Sequence, residues 1–464
     1  IKGSSIKGSL IKSSWIKDNW LQHLDARVPR YTSYPTAPHF EKNFPEEIYH
    51  SWLATLPVQE AISLYVHIPF CKQMCWYCGC NMKLIARYQP VRAYIDNLCA
   101  EIDLVAARFP ARMKVAHLHF GGGTPTAIHP DDLEKIVRKI EEHFTFAPDA
   151  ERAIETDPRT ITDEMIARIG ALGFTRASLG VQEFDPTVQA AINRIQPAAL
   201  VQKTTEKLRA VGVKGINYDL IYGLPQQTEE ALCKTVQECL AMKPDRIVLF
   251  GYAHVPWMAK NQRMIDEEAL PGAEERALQA RASAQELIAG GYVPIGIDHF
   301  ALPDDPLTKA MRGGKLHRNF QGYTDDDARS LIGFGATSIG RTPFGYVQNQ
   351  SETGAWARAI EAGHLPISKG LSMNLDDCLR AYVIERIMCD GTIDLEIAGG
   401  FFDAEPDWYE PEVEQLDILA RDGLIIREGA RITLTPAGTG LARIVAATFD
   451  SYLRHDRARH SVAV

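Results

Sequence analysis

Three cysteines in one short stretch are the clearest sign of chemistry in the sequence. Cys71, Cys75 and Cys78 are spaced C-x3-C-x2-C and follow an apolar run over residues 64–70. This spacing lets one loop bring three thiolates around one face of an iron-sulfur cube. Because three ligands leave the fourth iron open, and an open metal position can bind a substrate or cofactor, the spacing predicts a reactive 4Fe-4S cluster.

Two simpler interpretations of these cysteines are weighed against the cluster. Structural zinc could use the four cysteines of residues 71–80, but zinc sites usually pair two C-x2-C knuckles, and no second knuckle is present. Disulfides are disfavoured because nine cysteines are an odd number in a long chain without a secretory signal. We therefore expect a cytoplasmic protein with an oxygen-sensitive cluster.

The composition is that of a globular protein and disfavours several classes of function. The chain has 464 residues, of which 45% are hydrophobic, and no apolar run is long enough to span a bilayer. Its formal net charge of -9 argues against sequence-independent binding of nucleic acid, which needs a basic surface. We expect neither a nucleic acid nor a membrane as partner, and a monomeric protein.

The cysteine loop belongs to a repeating pattern of secondary structure. From about residue 62, short β-branched runs alternate with amphipathic helical segments, which predicts βα units around a parallel sheet. Six or seven such units could form a doubly wound sheet or a barrel of TIM type, complete or partial. The predicted strands end near Phe70, Phe120, Thr156, Gln182, Tyr222, Ala253 and Phe300.

Polar residues at the strand ends favour the barrel. Barrel enzymes place their chemistry at the carboxyl ends of the strands. We therefore predict an α/β fold with a partial (β/α) TIM-type barrel and an active site at its mouth. The chemical groups at the predicted strand ends are His67, the turn 121–124, Glu155, Gln182, Asp219, the step 253–254 and Asp298.

Several of these groups suit a charged cofactor beside the cluster. The glycine run 121–123 lets backbone N–H groups approach an anionic or polar ligand. Glu155 could accept from a ribose hydroxyl or an amino group, or form a simple rim salt bridge. Arg194 suits a carboxylate, and burial of Asp219 without a partner would be costly. The cysteine spacing itself resembles the signature of radical S-adenosylmethionine (SAM) enzymes, and beside such a loop the glycine run fits a bed for the methionyl part of SAM. The resemblance implies that a reduced cluster could cleave SAM to a 5'-deoxyadenosyl radical.

Three regions are expected along the chain. Residues 1–55 contain Ile-Lys pairs at a period of five, predicted to be a disordered lead, and an arm at 29–37 that we expect to cover a site. Residues 56–367 are predicted to form the barrel, with loops at its mouth in 316–324 and 331–340.

Residues 368–464 predict a smaller, mostly helical domain that resembles a winged helix. We expect a packing or lid role for this domain, because the many acidic residues of 390–417 would repel DNA phosphates. The expected elements are helices around 377–388, 413–421 and 438–453 and a hairpin within 424–434.

Five stretches together resemble one family of radical SAM enzymes, the oxygen-independent coproporphyrinogen III dehydrogenases of haem biosynthesis. The cluster loop and the glycine run are shared more widely among radical SAM proteins, so the first and last stretches are the specific ones. The five are PRYTSYPTA (29–37), YVHIPFCKQMCWYCGC (65–80), GGGTPT (121–126), YDLIYGLP (218–225) and HRNFQGYT (317–324).

The resemblance implies an activity and partners. Two propionate side chains of coproporphyrinogen III would be oxidatively decarboxylated to vinyl groups, which gives protoporphyrinogen IX, and a protein would donate electrons to the cluster. The main alternative is a haem-binding chaperone on the same scaffold, whose members characteristically lack the cysteine at Cys80 and the 29–37 arm. A radical SAM methyltransferase or cyclase is a more distant alternative.

The resemblance also implies residue roles. Cys71, Cys75 and Cys78 would hold the cluster, whereas Cys80 would not be a ligand. Arg30 and Arg318 are our candidates for binding the propionates, because guanidinium groups suit carboxylates. One of two SAM molecules would be lined by Tyr65, Gly122, Glu155 and Ile339, and the other by Tyr77, Gly123, Thr124, Gln182, Arg194, Asp219 and Ala253. The residues expected to be catalytic are the three cysteine ligands, Tyr65, Glu155, Arg194 and Asp219.

Overall fold

The structure is a computed structural model that describes residue 23 and residues 26–453. The lead predicted to be disordered lies outside the described residues. The described chain forms two compact units, of which the larger comprises His39–His317 and Thr324–Asn374. The smaller unit comprises the residues up to Pro38, Arg318–Tyr323 and the residues from Leu375 onward.

The strands before residue 375 belong mostly to one 13-stranded sheet. They are β1 (Glu41–Lys42), β2 (Ile62–Ile68), β3 (Phe70–Cys71), β4 (Lys83–Leu84), β5 (Lys114–Gly122), β6 (Thr145–Thr156), β7 (Arg176–Gln182), β8 (Gly215–Tyr222), β9 (Arg246–Gly251), β10 (Val293–Ile295), β11 (His299–Ala301), β12 (His317–Asn319), β13 (Gly322–Thr324), β14 (Leu331–Phe334), β15 (Ile339–Thr342), β16 (Gly345–Asn349) and β17 (Ile367–Ser372).

The helices of the same part of the chain connect these strands. They are α1 (Glu46–Thr55), α2 (Gln89–Ala106), α3 (Pro130–His143), α4 (Asp163–Ala171), α5 (Pro186–Ala191), α6 (Ala198–Ala210), α7 (Glu229–Met242), α8 (Ala273–Ala289), α9 (Pro306–Arg312) and α10 (Thr353–Glu361).

Six parallel strands, β2 and β5 to β9, are neighbours in the order in which they occur in the chain. Every crossover therefore advances in the same direction, and because parallel crossovers are right-handed, the connecting helices cover one face of the sheet. A doubly wound sheet would have helices on both faces. The predicted partial (β/α) barrel is confirmed, and its inner face is left for a site.

Local sequence explains why the helices pack where they do. Helix α3 begins at Pro130, whose missing N–H is not needed in a first turn, and Asp131 and Asp132 follow at the positive end of the helix dipole. Its apolar residues recur at helical spacing and are buried, so this helix covers the outer face of the sheet. The buried residues of α3 include Leu133, Ile136, Val137 and Ile140.

Antiparallel strands extend the six parallel ones at the β9 edge. Strand β11 pairs antiparallel with both β9 and β10. The seventh βα unit that the sequence allowed, with a strand ending near Phe300, is therefore absent among the described residues. The chain after α8 enters β10 and turns back within a few residues as a hairpin, and the returning strand β11, which is antiparallel to β9, takes the place beside β9.

Strands also lie where the sequence predicted mouth loops. Strand β14 is parallel to β2, and β15 to β17 and β1 continue from it as antiparallel neighbours. The prediction of a loop at 331–340 was wrong, because the glycines lie in two strands and in the turn between them, where Gly335 has a φ of 93°. Residues 316–324 likewise contain β12 and β13.

The chain from Leu375 onward has the predicted helices and hairpin, with one correction. A single helix over 438–453 was wrong: α14 and α15 are short, and Gly440 lies between them. Gly438 approaches the Leu424 carbonyl so closely that a Cβ would lie 1.9 Å from its oxygen. The elements are α11 (Leu375–Asp390), β18 (Thr392–Asp394), α12 (Leu395–Gly400), α13 (Val413–Arg421), β19 (Ile425–Glu428), β20 (Arg431–Leu434), α14 (Pro436–Thr439) and α15 (Ala442–Ala447).

The 29–37 arm belongs to the smaller unit. The Tyr31 hydroxyl donates to the Asp450 carboxylate at 3.0 Å, and Arg443 donates to the Pro29 carbonyl at 3.0 Å. The division into residues 1–55, 56–367 and 368–464, and the covering role of the arm, stay predictions. Within the described part of the chain, no helix has the length and apolar character to cross a membrane.

Candidate cluster and cofactor site

The cluster loop, which we define as residues 71–80, is closed at its base by a two-stranded ladder. Strands β3 and β4 are parallel, with Cys71 opposite Leu84. The Ile85 N–H donates to the Cys71 carbonyl at 2.9 Å, and the Lys83 N–H donates to the Pro69 carbonyl at 2.7 Å. The loop therefore begins just after the carboxyl end of β2, and the pairing of β4 with β3 brings its far end back beside its start.

All four cysteines of the loop line one cleft: the three predicted cluster ligands and Cys80. Burial raises the pKa of Cys71 to about 11, and the Thr124 hydroxyl lies 3.4 Å from its sulfur. A hydrogen bond from the Cys80 thiol lowers the pKa of Cys78 to about 7. No group of three or more His, Cys, Asp or Glu side chains in the described residues has the geometry to hold a single metal ion. Three thiols on one short loop fit the donor set of a cluster with an open iron.

Cys75 differs from the other two predicted ligands, Cys71 and Cys78, because two guanidinium groups donate to its sulfur. The Arg159 Nη2 lies 3.2 Å and the Arg194 Nη1 3.3 Å from the Cys75 Sγ. Asp157 holds both arginines, since its Oδ2 is 2.6 Å from Arg159 and its Oδ1 is 3.4 Å from Arg194. Burial acts to raise the pKa of Asp157, but hydrogen bonds from Arg159 and the charge of Arg194 hold it below its usual value.

The glycine turn after β5 passes against the cluster loop. The Gly123 N–H donates to the Ile68 carbonyl at 2.9 Å, and the Thr124 N–H donates to the Phe70 carbonyl at 2.8 Å. A Cβ on Gly123 would lie 2.9 Å from backbone atoms of Phe70 and 3.1 Å from the Cys71 sulfur. Glycine at this position is therefore required for the close approach, which places Thr124 beside the cluster loop.

Glu155, at the end of β6, is oriented from two sides. The Gly122 N–H donates to its Oε2 at 3.1 Å, and the His119 Nε2 lies 3.2 Å from its Oε1. The His119 ring stacks on that of Tyr65, with centroids 5.9 Å apart, and the Tyr65 hydroxyl lies 3.0 Å from the His67 Nδ1. This arrangement holds the carboxylate at the cleft and leaves it capacity to accept from a ligand.

Two acceptors in the cleft are suited to a polar ligand. Gln182 ends β7 with a φ of 68°, and its buried Oε1 has no hydrogen-bond partner among the described residues. An orphaned buried acceptor is costly, so a ligand donor fits this position. Asp219 lies inside the neighbouring strand β8 rather than at its predicted end, because β8 continues to Tyr222, and burial raises the pKa of Asp219 to about 7.

The structure brings together most of the residues that the sequence predicted for the site. Tyr65, Ala253 and Ile339 do not line the cleft. The Ala253 carbonyl accepts from Gln262, whose amide also donates to Tyr77. Ile339 lies in β15 with its carbonyl beside Gly333, which pairs with Tyr65. The predicted residues that line the cleft are Cys71, Cys75, Cys78, Tyr77, Gly122, Gly123, Thr124, Glu155, Gln182, Arg194 and Asp219.

Sequence reasoning missed several residues of the site. His119 does not stand at a strand end, and its contact with Glu155 joins positions 36 residues apart. Asp157 and Arg159 directly follow β6, so a search for charged pairs after strand ends could have found them. Other cleft-lining residues that were missed are Gln73, Met82, Thr156, Ser178 and Gly180.

Comparisons with known proteins show the family to which the chain belongs. The family model described as the radical SAM superfamily matches residues 65–239. The oxygen-independent coproporphyrinogen III oxidase of Bradyrhizobium diazoefficiens is 46% identical over 440 residues, which cover 95% of this chain and 98% of that protein. A protein with the same name from Cereibacter sphaeroides is 41% identical over 439 residues, 95% of this chain and 97% of its own.

The chain belongs to the oxygen-independent coproporphyrinogen III oxidase family. The resemblance in the five sequence stretches is thereby confirmed. A solved structure of coproporphyrinogen III oxidase from Escherichia coli, described as a radical SAM enzyme, is similar with a TM-score of 0.88 and 35% identity, and covers 92% of this chain and 100% of that one. As a member of this oxidase family and of the radical SAM superfamily, the chain uses a 4Fe-4S cluster and SAM.

Proposed function

We propose that this protein catalyses the oxygen-independent oxidative decarboxylation of coproporphyrinogen III. Two propionate side chains become vinyl groups, and the product is protoporphyrinogen IX. The observation that carries the proposal is similarity over nearly the whole chain to proteins with this activity in their names. The cleft supports it, because the three proposed cluster ligands lie there together with the carboxylates of Glu155 and Asp219.

The chain's own residues would prepare the chemistry. Cys71, Cys75 and Cys78 hold the cluster, while Glu155 and Asp219 accept hydrogen bonds from polar groups of SAM. When bound, the reduced cluster and SAM supply a 5'-deoxyadenosyl radical that abstracts a hydrogen atom from the β-carbon of a propionate. Loss of carbon dioxide from the substrate then forms the vinyl double bond and passes one electron to an acceptor.

Two SAM molecules are part of the proposal. One is lined by Tyr65, Gly122, Glu155 and Ile339. The separate positions of the Glu155 and Asp219 carboxylates, one near the end of β6 and the other inside β8, support two sets of polar contacts. The other molecule is lined by Tyr77, Gly123, Thr124, Gln182, Arg194, Asp219 and Ala253.

Arg30 and Arg318 are proposed to bind substrate carboxylates. Both belong to the smaller unit, where the Arg318 guanidinium lies 4.4 Å from the centre of the Tyr323 ring and donates to the Arg30 carbonyl at 3.5 Å. A planar guanidinium held against a ring is preorganised for a carboxylate. We further propose that the protein works as a cytoplasmic monomer with a reducing protein as electron donor.

An anaerobic assay with SAM, a chemical reductant and coproporphyrinogen III tests this function. We expect release of carbon dioxide and 5'-deoxyadenosine, with protoporphyrinogen IX identified by mass. Cleavage of SAM without decarboxylation would contradict the substrate assignment. A haemin titration is the companion measurement, because stable stoichiometric haem binding without turnover would favour a chaperone.

A further inference from the structure

The backbone of the cluster loop is held by two side chains from one short helical turn. Asn261 and Gln262, which we call the amide clamp, lie in the 3-10 helix Lys260–Met264 that follows β9. The Asn261 Nδ2 lies 3.1 Å from the Cys75 carbonyl oxygen and 2.8 Å from that of Cys78. It also lies 3.2 Å from the carbonyl oxygen of Trp76, between them.

Gln262 completes the set of contacts. Its Nε2 donates to the Tyr77 carbonyl at 2.7 Å, so the amide clamp reaches four successive carbonyls of the cluster loop. Gln262 is only 1% exposed, and its Oε1 accepts the Val255 N–H at 2.6 Å. Because that oxygen must face a donor, the amide can present only its nitrogen to the loop. The same nitrogen also donates to the Ala253 carbonyl at 3.1 Å.

The loop has little means of fixing its own shape. Residues 72–82 contain no helix or strand, and the backbone bond from Cys78 to the Cys75 carbonyl is long, at 3.4 Å. Backbone carbonyls without secondary structure need other partners, and those partners set the local conformation. Cys75 and Cys78, which this bond joins, carry two of the three thiols that must bind the same cluster.

We propose that Asn261 is a positioning residue for the iron-sulfur cluster. It binds the carbonyls of both Cys75 and Cys78 and so sets the separation of their thiols. Gln262 ties the same loop to the chain after β9, where Ala253 is proposed to line SAM. This inference rests on the proposed function in one respect, namely that these cysteines hold a cluster, and it is independent of the porphyrinogen substrate.

The test compares anaerobically reconstituted full-length proteins. Asn261→Asp keeps the size of the side chain but replaces the donor with a carboxylate that repels the carbonyl oxygens. Asn261→Ala removes the donor without adding charge. The control is Asn97→Asp, which makes the same chemical change at a half-buried position on α2, where Asn97 donates to Glu361 at 3.5 Å in a solvent-exposed hydrogen bond.

We expect a chelator to bleach the cluster about tenfold faster in Asn261→Asp than in the wild type, the effect of losing one or two net hydrogen bonds. The Asn97→Asp control is expected to match the wild type. We also expect the electron paramagnetic resonance spectrum of the reduced cluster to change. A lower folding stability of the protein alone would not change this spectrum. Thermal melting of the cluster-free proteins, followed by circular dichroism, checks their folding. If Asn261→Asp does not fold, Asn261→Ala decides.

Wild-type bleaching rates and spectra in a folded Asn261 variant would overturn the proposal. That result would leave the proposed function standing, because turnover of coproporphyrinogen III is measured separately. Conversely, a wild-type protein that holds a cluster but does not decarboxylate the substrate would refute the function and not the amide clamp.

Discussion

At the scale of single residues, the three predicted cluster ligands are chemically unequal. Cys71 is buried beside Thr124, Cys75 accepts from two arginines, and Cys78 accepts from Cys80. A lowered pKa makes the Cys78 thiolate available near neutral pH, and the thiolate is the form that binds metal. The arginines stabilise negative charge on Cys75 in the same sense.

Serine substitutions separate the ligands from Cys80. Replacing Cys71, Cys75 or Cys78 with Ser is expected to abolish the cluster, because each removes one of three ligands. Cys80→Ser is expected to retain it, since the new hydroxyl can still donate toward Cys78. Iron and sulfide content with visible absorbance measure the outcome. Loss of the cluster in Cys80→Ser would show that Cys80 is a ligand.

The raised pKa of Asp219 predicts how SAM binding depends on pH. Burial raises this pKa to about 7, so the carboxylate that accepts from SAM forms only as the pH rises through that value. Affinity for SAM should therefore increase between pH 6 and pH 8 in the wild type. Asp219→Asn is expected to bind about tenfold more weakly at pH 8 and without this rise. Calorimetric titration of both proteins with SAM at pH 6 and pH 8 measures the affinities. The same pH dependence of SAM affinity in the wild type and in Asp219→Asn would exclude this role of Asp219.

At the scale of elements, strand ends and turns bring the site together. The turn after β5 packs on β3, and the turn between β14 and β15 is fixed by a buried carboxylate. Glu101 on α2 accepts the Gly335 N–H at 2.7 Å, the Asn349 amide at 2.5 Å and the Trp356 indole N–H at 3.2 Å. This one side chain joins α2, α10 and the antiparallel edge of the barrel sheet.

Glu101 gives the protein a pH-dependent stability. Burial raises the pKa of its carboxyl from 4.5 to about 8, so between these values the folded state binds a proton that the unfolded state has released. Stability therefore falls as the pH rises through this window, by up to about 1.4 kcal/mol per unit. Glu101→Gln should remove this component. Urea unfolding of the cluster-free wild type and of cluster-free Glu101→Gln at pH 5.5 and 7.5 measures this component. An equal change in the free energy of unfolding between the two pH values in both proteins would contradict the assignment.

Elements that are encoded by neighbouring residues could be predicted from the sequence, whereas contacts between distant residues could not. The cluster loop follows from cysteine spacing, and β2 and β5 to β9 follow from apolar runs with polar ends. The glycines of 331–340 misled the prediction, because pairing of β14 with the distant β2 outweighs their weak strand preference. The contact of Asn261 with Cys75 spans 186 residues and has no local signature.

At the scale of the whole molecule, the two compact units are built from interleaved parts of the chain. The smaller unit takes in the 29–37 arm, Arg318–Tyr323 and the C-terminal elements. Two of the stretches most specific to the family, PRYTSYPTA and HRNFQGYT, therefore contribute to one unit, and both contain a candidate substrate-binding arginine. The predicted three-part division does not anticipate this arrangement, because sequence order alone cannot show which segments pack together.

Substitution of these arginines tests the assignment of the substrate carboxylates. Arg30→Ala and Arg318→Ala are each expected to raise KM for coproporphyrinogen III about tenfold, because each removes a charge-assisted hydrogen bond. Cluster content and SAM affinity should not change. Arg318→Lys keeps the positive charge but loses the planar guanidinium that packs on Tyr323. This variant should retain part of the affinity for coproporphyrinogen III, which separates the contribution of charge from that of packing. Unchanged KM in both alanine variants would rule out this role.

The central claim is that a radical formed at the cleft takes a hydrogen atom from a substrate propionate. The most direct measurement uses coproporphyrinogen III deuterated at the propionate β-carbons, in an anaerobic reaction followed by mass spectrometry of the 5'-deoxyadenosine. We predict that deuterium appears in 5'-deoxyadenosine, that the vinyl product has lost one β-deuterium per decarboxylated side chain, and that Cys75→Ser yields neither. Unlabelled 5'-deoxyadenosine formed together with carbon dioxide would contradict the account.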